Sequence, residues 1–148
     1  MNNAVRRLLL LIAVLSLAGV AISSVSLQHH YAKSATAYCD LAENFSCDIV
    51  NRSAYSSVMG FPVAGIGIAG YLALLALSTV YRSRVETPGR LLLAALAGLV
   101  FALYLTYVEA RVLYTWCILC LSSLVVIATI SALALVTRVR SGAGHAEG

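Results

Sequence analysis

Four cysteines are the residues of this 148-residue sequence whose types and spacing could do chemistry. Cys117 and Cys120 form a C-x-x-C motif, whereas Cys39 and Cys47 stand eight positions apart. Two thiols at positions i and i+3 of a helix lie on one side and can close a disulfide. C-x-x-C spacing and a helix N-terminus, here with Thr115 as the candidate cap, both favour the nucleophilic thiolate. The motif therefore predicts a dithiol that takes part in disulfide exchange.

The same cysteines fit other kinds of site. The C-x-x-C pair also fits two small buried side chains, and Cys39 and Cys47 also fit a structural disulfide that staples a loop. A metal site of four thiolates, helped by His29 and His30, is disfavoured. The gap between Cys39 and Cys47 is too wide for the second tight C-x-x-C knuckle of an all-thiolate zinc site. We therefore expect no metal, and the two structural alternatives stay open.

The elements that must position these thiols are apolar helices. Only 11% of the residues are charged and 61% are hydrophobic, whereas roughly a quarter of a soluble domain is charged. Four stretches contain no charged residue, and each is near or above the ~20 residues that cross a bilayer as a helix. The sequence predicts an all-α integral membrane protein, a single domain over 1–148 with four transmembrane helices. The predicted segments are helices at about 8–27, 61–81, 91–108 and 112–137, an outer cap loop at 28–60, and a disordered tail at 141–148.

Lysine and arginine fall mainly on one side of the four predicted helices. The two termini and the loop between the second and third helices carry seven of them, and the other two loops carry three. Because positively charged loops stay in the cytoplasm, both termini are predicted to be cytoplasmic. All four cysteines then lie on the outer, oxidising side, where disulfides persist. Basic residues beside the membrane surface also account for the net charge of +4, so lipid is the expected partner and nucleic acid is not.

Two cysteine pairs on one face predict an electron relay. Trp116 marks the membrane interface next to the C-x-x-C pair, because an indole ring is amphipathic. A water-soluble thiol and a lipid-soluble acceptor can both reach that depth. The loop pair is expected to meet a soluble partner and the helix pair a membrane quinone, with thiol–disulfide exchange between them.

The order and spacing of these residues resemble the vitamin K epoxide reductase family in its small bacterial form, over about residues 8–136. The resemblance consists of a loop Cys-Asp, a second Cys eight residues on, a Ser six residues later, and a C-x-x-C that opens the last helix. A Gly-Phe-Pro sequence also leads into the second helix. In this chain these are Cys39-Asp40, Cys47, Ser53, Gly60-Phe61-Pro62 and Cys117-Ile118-Leu119-Cys120.

The resemblance implies a four-helix bundle around a quinone, capped by the outer loop, and a role for each cysteine. Cys39 would exchange with the soluble partner, and Cys47 would pass electrons to Cys117. Cys120 would contact the quinone, with Ser53 close by in the cap.

The partners follow from the same resemblance. They are a periplasmic thioredoxin-like or DsbA-like protein, which must be separate because this chain ends soon after its fourth helix, and ubiquinone or menaquinone as electron acceptor. The implied function is a quinone-dependent thiol oxidoreductase of the bacterial inner membrane that supports disulfide formation. DsbB has a similar job, but its C-x-x-C lies in the first outer loop.

The residues that contact the quinone are predicted less directly than the cysteines. Family resemblance and helix position make Ser53, Phe61, Tyr104 and Tyr107 the candidate quinone contacts, although tyrosines of this kind also fit interface anchors. Glu109, near the outer turn, is interpreted as solvated.

Two alternative functions remain. Animal enzymes of the family hold the quinone oxygens with an Asn and a Tyr, and the matching residues here are Val63 and Leu124, which cannot hydrogen-bond through their side chains. This departure favours quinone reduction over epoxide reduction, which is kept as the first alternative. A membrane scaffold with two static disulfides is the second.

Overall fold

The computed structural model describes residues 3–31, 54–84 and 86–146, and four helices make up most of this part of the chain. A short antiparallel hairpin precedes the second helix, and a π-helical turn follows the third. In chain order the elements are α1 (Asn3–Tyr31), a 3-10 turn (Ala54–Ser56), β1 (Ser57–Val58), β2 (Phe61–Pro62), α2 (Val63–Thr79), α3 (Thr87–Val108), the π-helical turn (Glu109–Leu113) and α4 (Ile118–Ala146).

Three of the helices are long and apolar enough to cross a membrane. The apolar segments are Asn3–Gln28, Thr87–Leu113 and Ile118–Ala143, each of 26 or 27 residues. Helix α2 is a shorter apolar helix of 17 residues, which is at the lower end of the ~17–25 residues of a spanning helix. Apolar side chains such as Leu93, Val100 and Val125 point away from the protein, as they do where lipid is the solvent. The predicted fold class, a bundle of apolar membrane helices, is confirmed.

The four helices pack in chain order as a closed ring. Helix α1 lies against α2 and α4, and α3 lies against the same two neighbours. Each helix contributes buried apolar side chains to one continuous core. Its members are Val5, Leu9 and Ile12 of α1, Tyr71 and Leu74 of α2, Leu91 and Ala95 of α3, and Ile127, Ile130 and Ala134 of α4.

Helices α1 and α2 approach each other closely at two glycines. A Cβ on Gly19 would overlap the ring of Tyr71, and a Cβ on Gly67 would lie 2.9 Å from the Ser23 hydroxyl oxygen. Small residues at such crossings let helix backbones come together in a membrane. Gly19 therefore makes the space that Tyr71 occupies in the core.

The hairpin sets the entry of the chain into α2. Strand β1 pairs with β2, with Ser57 opposite Pro62 and Val58 opposite Phe61. Met59 (φ 53°) and Gly60 (φ 85°) form the two-residue turn, and positive φ at both turn positions is the pattern that matches the twist of a hairpin. Phe61, predicted to open the second helix, lies in β2 instead. Of the predicted outer loop 28–60, residues 32–53 lie outside the described part.

The helices end at other residues than the sequence predicts. Helix α4 begins at Ile118 rather than near residue 112, and it continues to Ala146, so the predicted disorder from residue 141 is wrong up to that point. Helix α3 begins at Thr87 with Pro88 in its first turn, a position where the missing N–H of proline has no cost. An uncharged stretch marks the apolar span, whereas backbone hydrogen bonds carry a helix beyond that span into polar sequence.

A candidate thiol site beside an inter-helical cavity

The C-x-x-C pair sits at the start of α4. Cys117 directly precedes the first helical residue, and its carbonyl accepts a hydrogen bond from the N–H of Leu121 (3.0 Å). Its sulfur accepts a hydrogen bond from the N–H of Cys120 (3.4 Å). A side-chain acceptor at the residue before a helix normally binds an exposed N–H of the first turn. Cys117 Sγ therefore acts as the cap of α4, where a negative charge is stabilised by the helix dipole.

These contacts lower the pKa of Cys117. The largest cause is a hydrogen bond from the Cys120 side chain, and the N–H groups of Cys120 and Leu119 add to it. Burial of Cys117, which is 0% exposed, acts in the opposite direction, as does the Glu109 carboxylate when it is ionised. The sequence predicted a thiolate at a helix start with Thr115 as cap. The Thr115 hydroxyl donates to the Leu113 carbonyl (3.2 Å) instead of capping α4, and the Cys117 sulfur takes that place.

Glu109 connects the end of α3 to the start of α4. After the π-helical turn, Tyr114 takes up a left-handed conformation (φ 51°). The N–H of Thr115 then donates to the Glu109 carbonyl oxygen (3.3 Å), and the N–H of Cys117 donates to Glu109 Oε2 (3.2 Å). Glu109 is only 1% exposed. The interpretation of Glu109 as a solvated turn residue is therefore wrong, because the turn folds the carboxyl back over the thiols.

A cavity lies between the four helices and reaches the C-x-x-C pair. Its volume is ≈ 360 Å³, within the roughly 300–1,000 Å³ of small-molecule sites. Most of its wall is apolar, with a few polar side chains. Cys120 lines the cavity, and Cys117 does not. The polar residues of the wall, besides Cys120, are Ser23 and Ser26 of α1, Tyr71 of α2 and Ser123 of α4.

Tyr71 and Ser123 form a hydroxyl pair in this wall. Tyr71 Oη lies 2.8 Å from Ser123 Oγ and 3.0 Å from the Ser123 carbonyl oxygen. Ser123 is three residues after Cys120, so on a helix the two side chains share a face. The pair thus places hydroxyl groups in the cavity on the same side as the Cys120 thiol. Hydroxyls can donate to or accept from a ligand oxygen.

The structure brings together only some of the predicted site residues. Cys117 and Cys120 are adjacent, and Cys120 is at the cavity. Phe61, Tyr104 and Tyr107 are 68%, 52% and 62% exposed, and none of them lines the cavity. The cavity therefore gives their prediction as quinone contacts no support. Three further predicted residues lie outside the described part of the chain: Cys39, Cys47 and Ser53.

Sequence reasoning missed three residues of the site, Glu109, Tyr71 and Ser123. For Glu109 a signal was present, because an acid between apolar membrane segments is more often functional than incidental. For Tyr71 and Ser123 no local signal existed, because their contact joins positions 52 residues apart. Within the described ranges, no group of three or more His, Cys, Asp or Glu side chains is arranged to hold a metal ion.

A comparison with known protein families shows which family this chain resembles. The model of the vitamin K epoxide reductase family matches residues 10–135. The match includes all four cysteines and every residue of the cavity wall. It confirms the resemblance seen in the sequence, and it supports a membrane oxidoreductase of the thiol and quinone kind.

Proposed function

The chain belongs to the vitamin K epoxide reductase family, and on that premise we propose that it oxidises thiols and passes their electrons to a membrane quinone. The observation that carries this proposal is the position of Cys120 in the wall of the inter-helical cavity, next to the Cys117 sulfur that caps α4. A lipid-soluble ring can enter an apolar cavity between membrane helices. A dithiol at the wall can then reduce it.

The reaction is a two-electron exchange. Cys117 and Cys120 form a sulfur–sulfur bond, and the dithiol is oxidised. The quinone gains two electrons and two protons and becomes hydroquinone. The lowered pKa of Cys117 favours its nucleophilic thiolate form, and Cys120, which lines the cavity, is the thiol proposed to contact the quinone.

The hydroxyls of Tyr71 and Ser123 are the groups that suit the quinone oxygens. Both line the cavity, and the family's Asn and Tyr have no polar counterpart at Val63 and Leu124. A polar pair beside the reacting thiol orients a ring whose remaining surface contacts apolar side chains. We assign quinone orientation to Tyr71 and Ser123.

The same proposal extends to Cys39 and Cys47, which form the outer half of the electron relay. Cys39 exchanges with a periplasmic thioredoxin-like or DsbA-like dithiol, and Cys47 hands the electrons to Cys117. The protein thereby supports disulfide formation, with its termini in the cytoplasm and its cysteines on the periplasmic side of a bacterial inner membrane. The Lys and Arg distribution and the order of the family motif support this arrangement.

The test is quinone reduction by the purified protein in detergent, with a small dithiol as electron donor. The ultraviolet absorbance of ubiquinone or menaquinone reports turnover. Cys120→Ser should abolish it. Ser122→Ala is the matched control, because the Ser122 hydroxyl donates to the Ile118 carbonyl of its own helix (2.7 Å) and does not line the cavity. A folded parent protein that reduces neither quinone would overturn the proposal in favour of a scaffold with static disulfides.

A second variant tests the outer half. Cys39→Ser should leave quinone reduction by the small dithiol intact, because that donor can reach the inner pair directly. The same variant should lose oxidation of a DsbA-like partner protein. Oxidation of the partner at the parent rate would show that Cys39 is not the entry thiol.

A further inference from the structure

Glu109 is a buried acid that the relay described above does not use. It is 1% exposed. One carboxyl oxygen, Oε2, accepts the N–H of Cys117 (3.2 Å). The other, Oε1, has no hydrogen bond of normal geometry with any described residue, although the carboxyl stands beside the Cys120 thiol. An acid held against both reacting thiols, with one oxygen unused, is placed to exchange a proton with them.

The surroundings of Glu109 favour its neutral form while the thiols are reduced. Cys117 and Cys120 are the titratable groups that face it among the described residues. Arg111, on the same turn, is exposed, and no salt bridge joins Glu109 to a cation in the described part of the chain. A buried carboxylate without a cation is costly, and a Cys117 thiolate next to it adds the repulsion of two like charges.

When Cys117 reacts as the thiolate that caps α4, the proton count of the reaction requires a second donor. Hydroquinone carries two protons. With Cys117 as thiolate, the reduced pair carries only one, on Cys120. The second proton must come from elsewhere, and Glu109 is the buried acid that contacts Cys117 directly.

We propose that Glu109 is the proton store of this site: it gives up its carboxyl proton when Cys117 and Cys120 are oxidised and recovers it when they are reduced. This inference rests on the proposed quinone reduction. On oxidation, a Cys117 thiolate, a Cys120 thiol, a Glu109 carboxylic acid and a quinone become a disulfide, a Glu109 carboxylate and a hydroquinone. Two electrons leave the sulfurs, and the two protons come from Cys120 and Glu109.

The return step balances in the same way. An incoming dithiol gives two electrons and two protons to the Cys117–Cys120 disulfide. One proton goes to Cys120 and one to the Glu109 carboxylate, and Cys117 is again a thiolate. The buried site thus carries one negative charge in either state, on sulfur or on carboxylate. It never has to hold two adjacent charges.

Infrared difference spectroscopy tests the store without a quinone. The protein is reduced with a dithiol and then oxidised with a small disulfide. Oxidation should remove the carbonyl band of one protonated carboxyl group in the parent, and Glu109→Gln should abolish that change. Glu86→Gln, the matched control at the other end of α3, should keep it. Glu109→Asp, which keeps the acid, should restore the change if the Gln variant folds poorly. An unchanged band in Glu109→Gln, or none in the parent, would overturn the proposal.

A single-turnover measurement of proton uptake tests whether Glu109 supplies a proton during quinone reduction. Pre-reduced protein is mixed with ubiquinone in weak buffer containing a pH indicator. In the parent, hydroquinone should form without proton uptake in the same kinetic phase. In Glu109→Gln, one proton per hydroquinone should come from the medium, and the rate should fall as pH rises. Equal uptake in both proteins would refute the role of Glu109. Absent hydroquinone in the parent, with the infrared change present, would instead refute quinone reduction and leave the store standing.

Discussion

Helix α3 has a glutamate at each end, and the two glutamates differ in their exposure and in the residues that they contact. Glu86, just before α3, pairs with Arg90 (2.5 Å), and both side chains are about two-thirds exposed or more (70% and 67%). Glu109, just after α3, is 1% exposed and lies against Cys117 and Cys120. The same residue type is a surface charge at one end and part of the reacting site at the other. Because the residue type is the same, the path of the backbone at each end of α3 causes the difference in burial.

The geometry responsible is the π-helical turn. An ordinary helix end would present the residue at 109 to solvent or lipid. Here five residues from Glu109 to Leu113 widen the last turn, and the left-handed Tyr114 reverses the chain towards α4. Extra-wide turns of this kind are frequent at functional sites. At the Glu86 end α3 begins regularly, and its Thr87 hydroxyl donates to the Tyr81 carbonyl in the loop.

The largest difference between the ends is expected from alanine variants. Glu109→Ala removes the hydrogen bond that the Cys117 N–H donates to the carboxyl group, which costs about 0.5–1.5 kcal/mol of unfolding free energy, and it also removes the proposed proton store. Thermal unfolding in detergent should show the loss of stability, and quinone turnover should fall sharply. Glu86→Ala is the control: it should leave quinone turnover unchanged and lower the unfolding free energy by no more than about 0.5 kcal/mol. Equal changes in thermal stability and quinone turnover in the two variants would contradict the proposed difference between the two ends of α3.

A smaller effect is expected at the hydroxyl pair. Tyr71→Phe removes one hydroxyl from the cavity, so we expect KM for quinone to rise roughly tenfold, equivalent to ~1.4 kcal/mol. The control is Tyr104→Phe, whose side chain is half-exposed and away from the cavity wall. The reverse outcome, with KM raised only by Tyr104→Phe, would restore the sequence-based prediction for Tyr104 and move the quinone to another site.

A shift in titration is expected at Cys117. Its pKa is lowered chiefly by the Cys120 side chain, so its thiolate is present above the lowered pKa and disappears as pH falls through that value. In a protein with Cys39→Ser and Cys47→Ser, thiolate absorbance should therefore titrate below the range of an ordinary thiol. Cys120→Ala removes the thiol donor and should move the midpoint upwards. An unchanged midpoint would mean that the helix start, rather than the neighbouring thiol, sets the charge.

The smallest effect belongs to the exposed ion pair. A double-mutant cycle of Glu86→Ala and Arg90→Ala should give a coupling of about 0.3–0.5 kcal/mol, the usual value for exposed pairs one helical turn apart. High salt should reduce it further. A coupling several times larger would show that the Glu86 end is shielded from water, contrary to its exposure.

The sequence predicts the scaffold well and the site in part, for physical reasons. The helices follow from local composition, since uncharged stretches of sufficient length have few alternatives. The C-x-x-C pair follows from local spacing. The burial of Glu109 does not, because Glu109-Ala110-Arg111 has the composition of a polar turn. Its burial depends on the π-helical turn and on the chain reversal at Tyr114, which involve α4.

Long-range contacts explain the remaining differences. Tyr71 meets Ser123 because Gly19 of α1 leaves room for the tyrosine ring, so three helices define one hydroxyl pair. Tyr104 and Tyr107 have helical spacing that fits a pocket, yet α3 turns that face away from the cavity. Helical periodicity identifies a face but not its neighbour, and only packing settles which face meets the thiols.

The most direct test of the central claim is a single turnover without the outer cysteines. A protein carrying Cys39→Ser and Cys47→Ser is fully reduced, freed of the reductant, and mixed with excess ubiquinone or menaquinone. If the Cys117–Cys120 pair is the quinone reductant, one hydroquinone should form per protein, and a further Cys120→Ser change should reduce that yield to zero. If the folded protein with only the inner pair forms no hydroquinone from either quinone, the claim that these two thiols reduce quinone is contradicted.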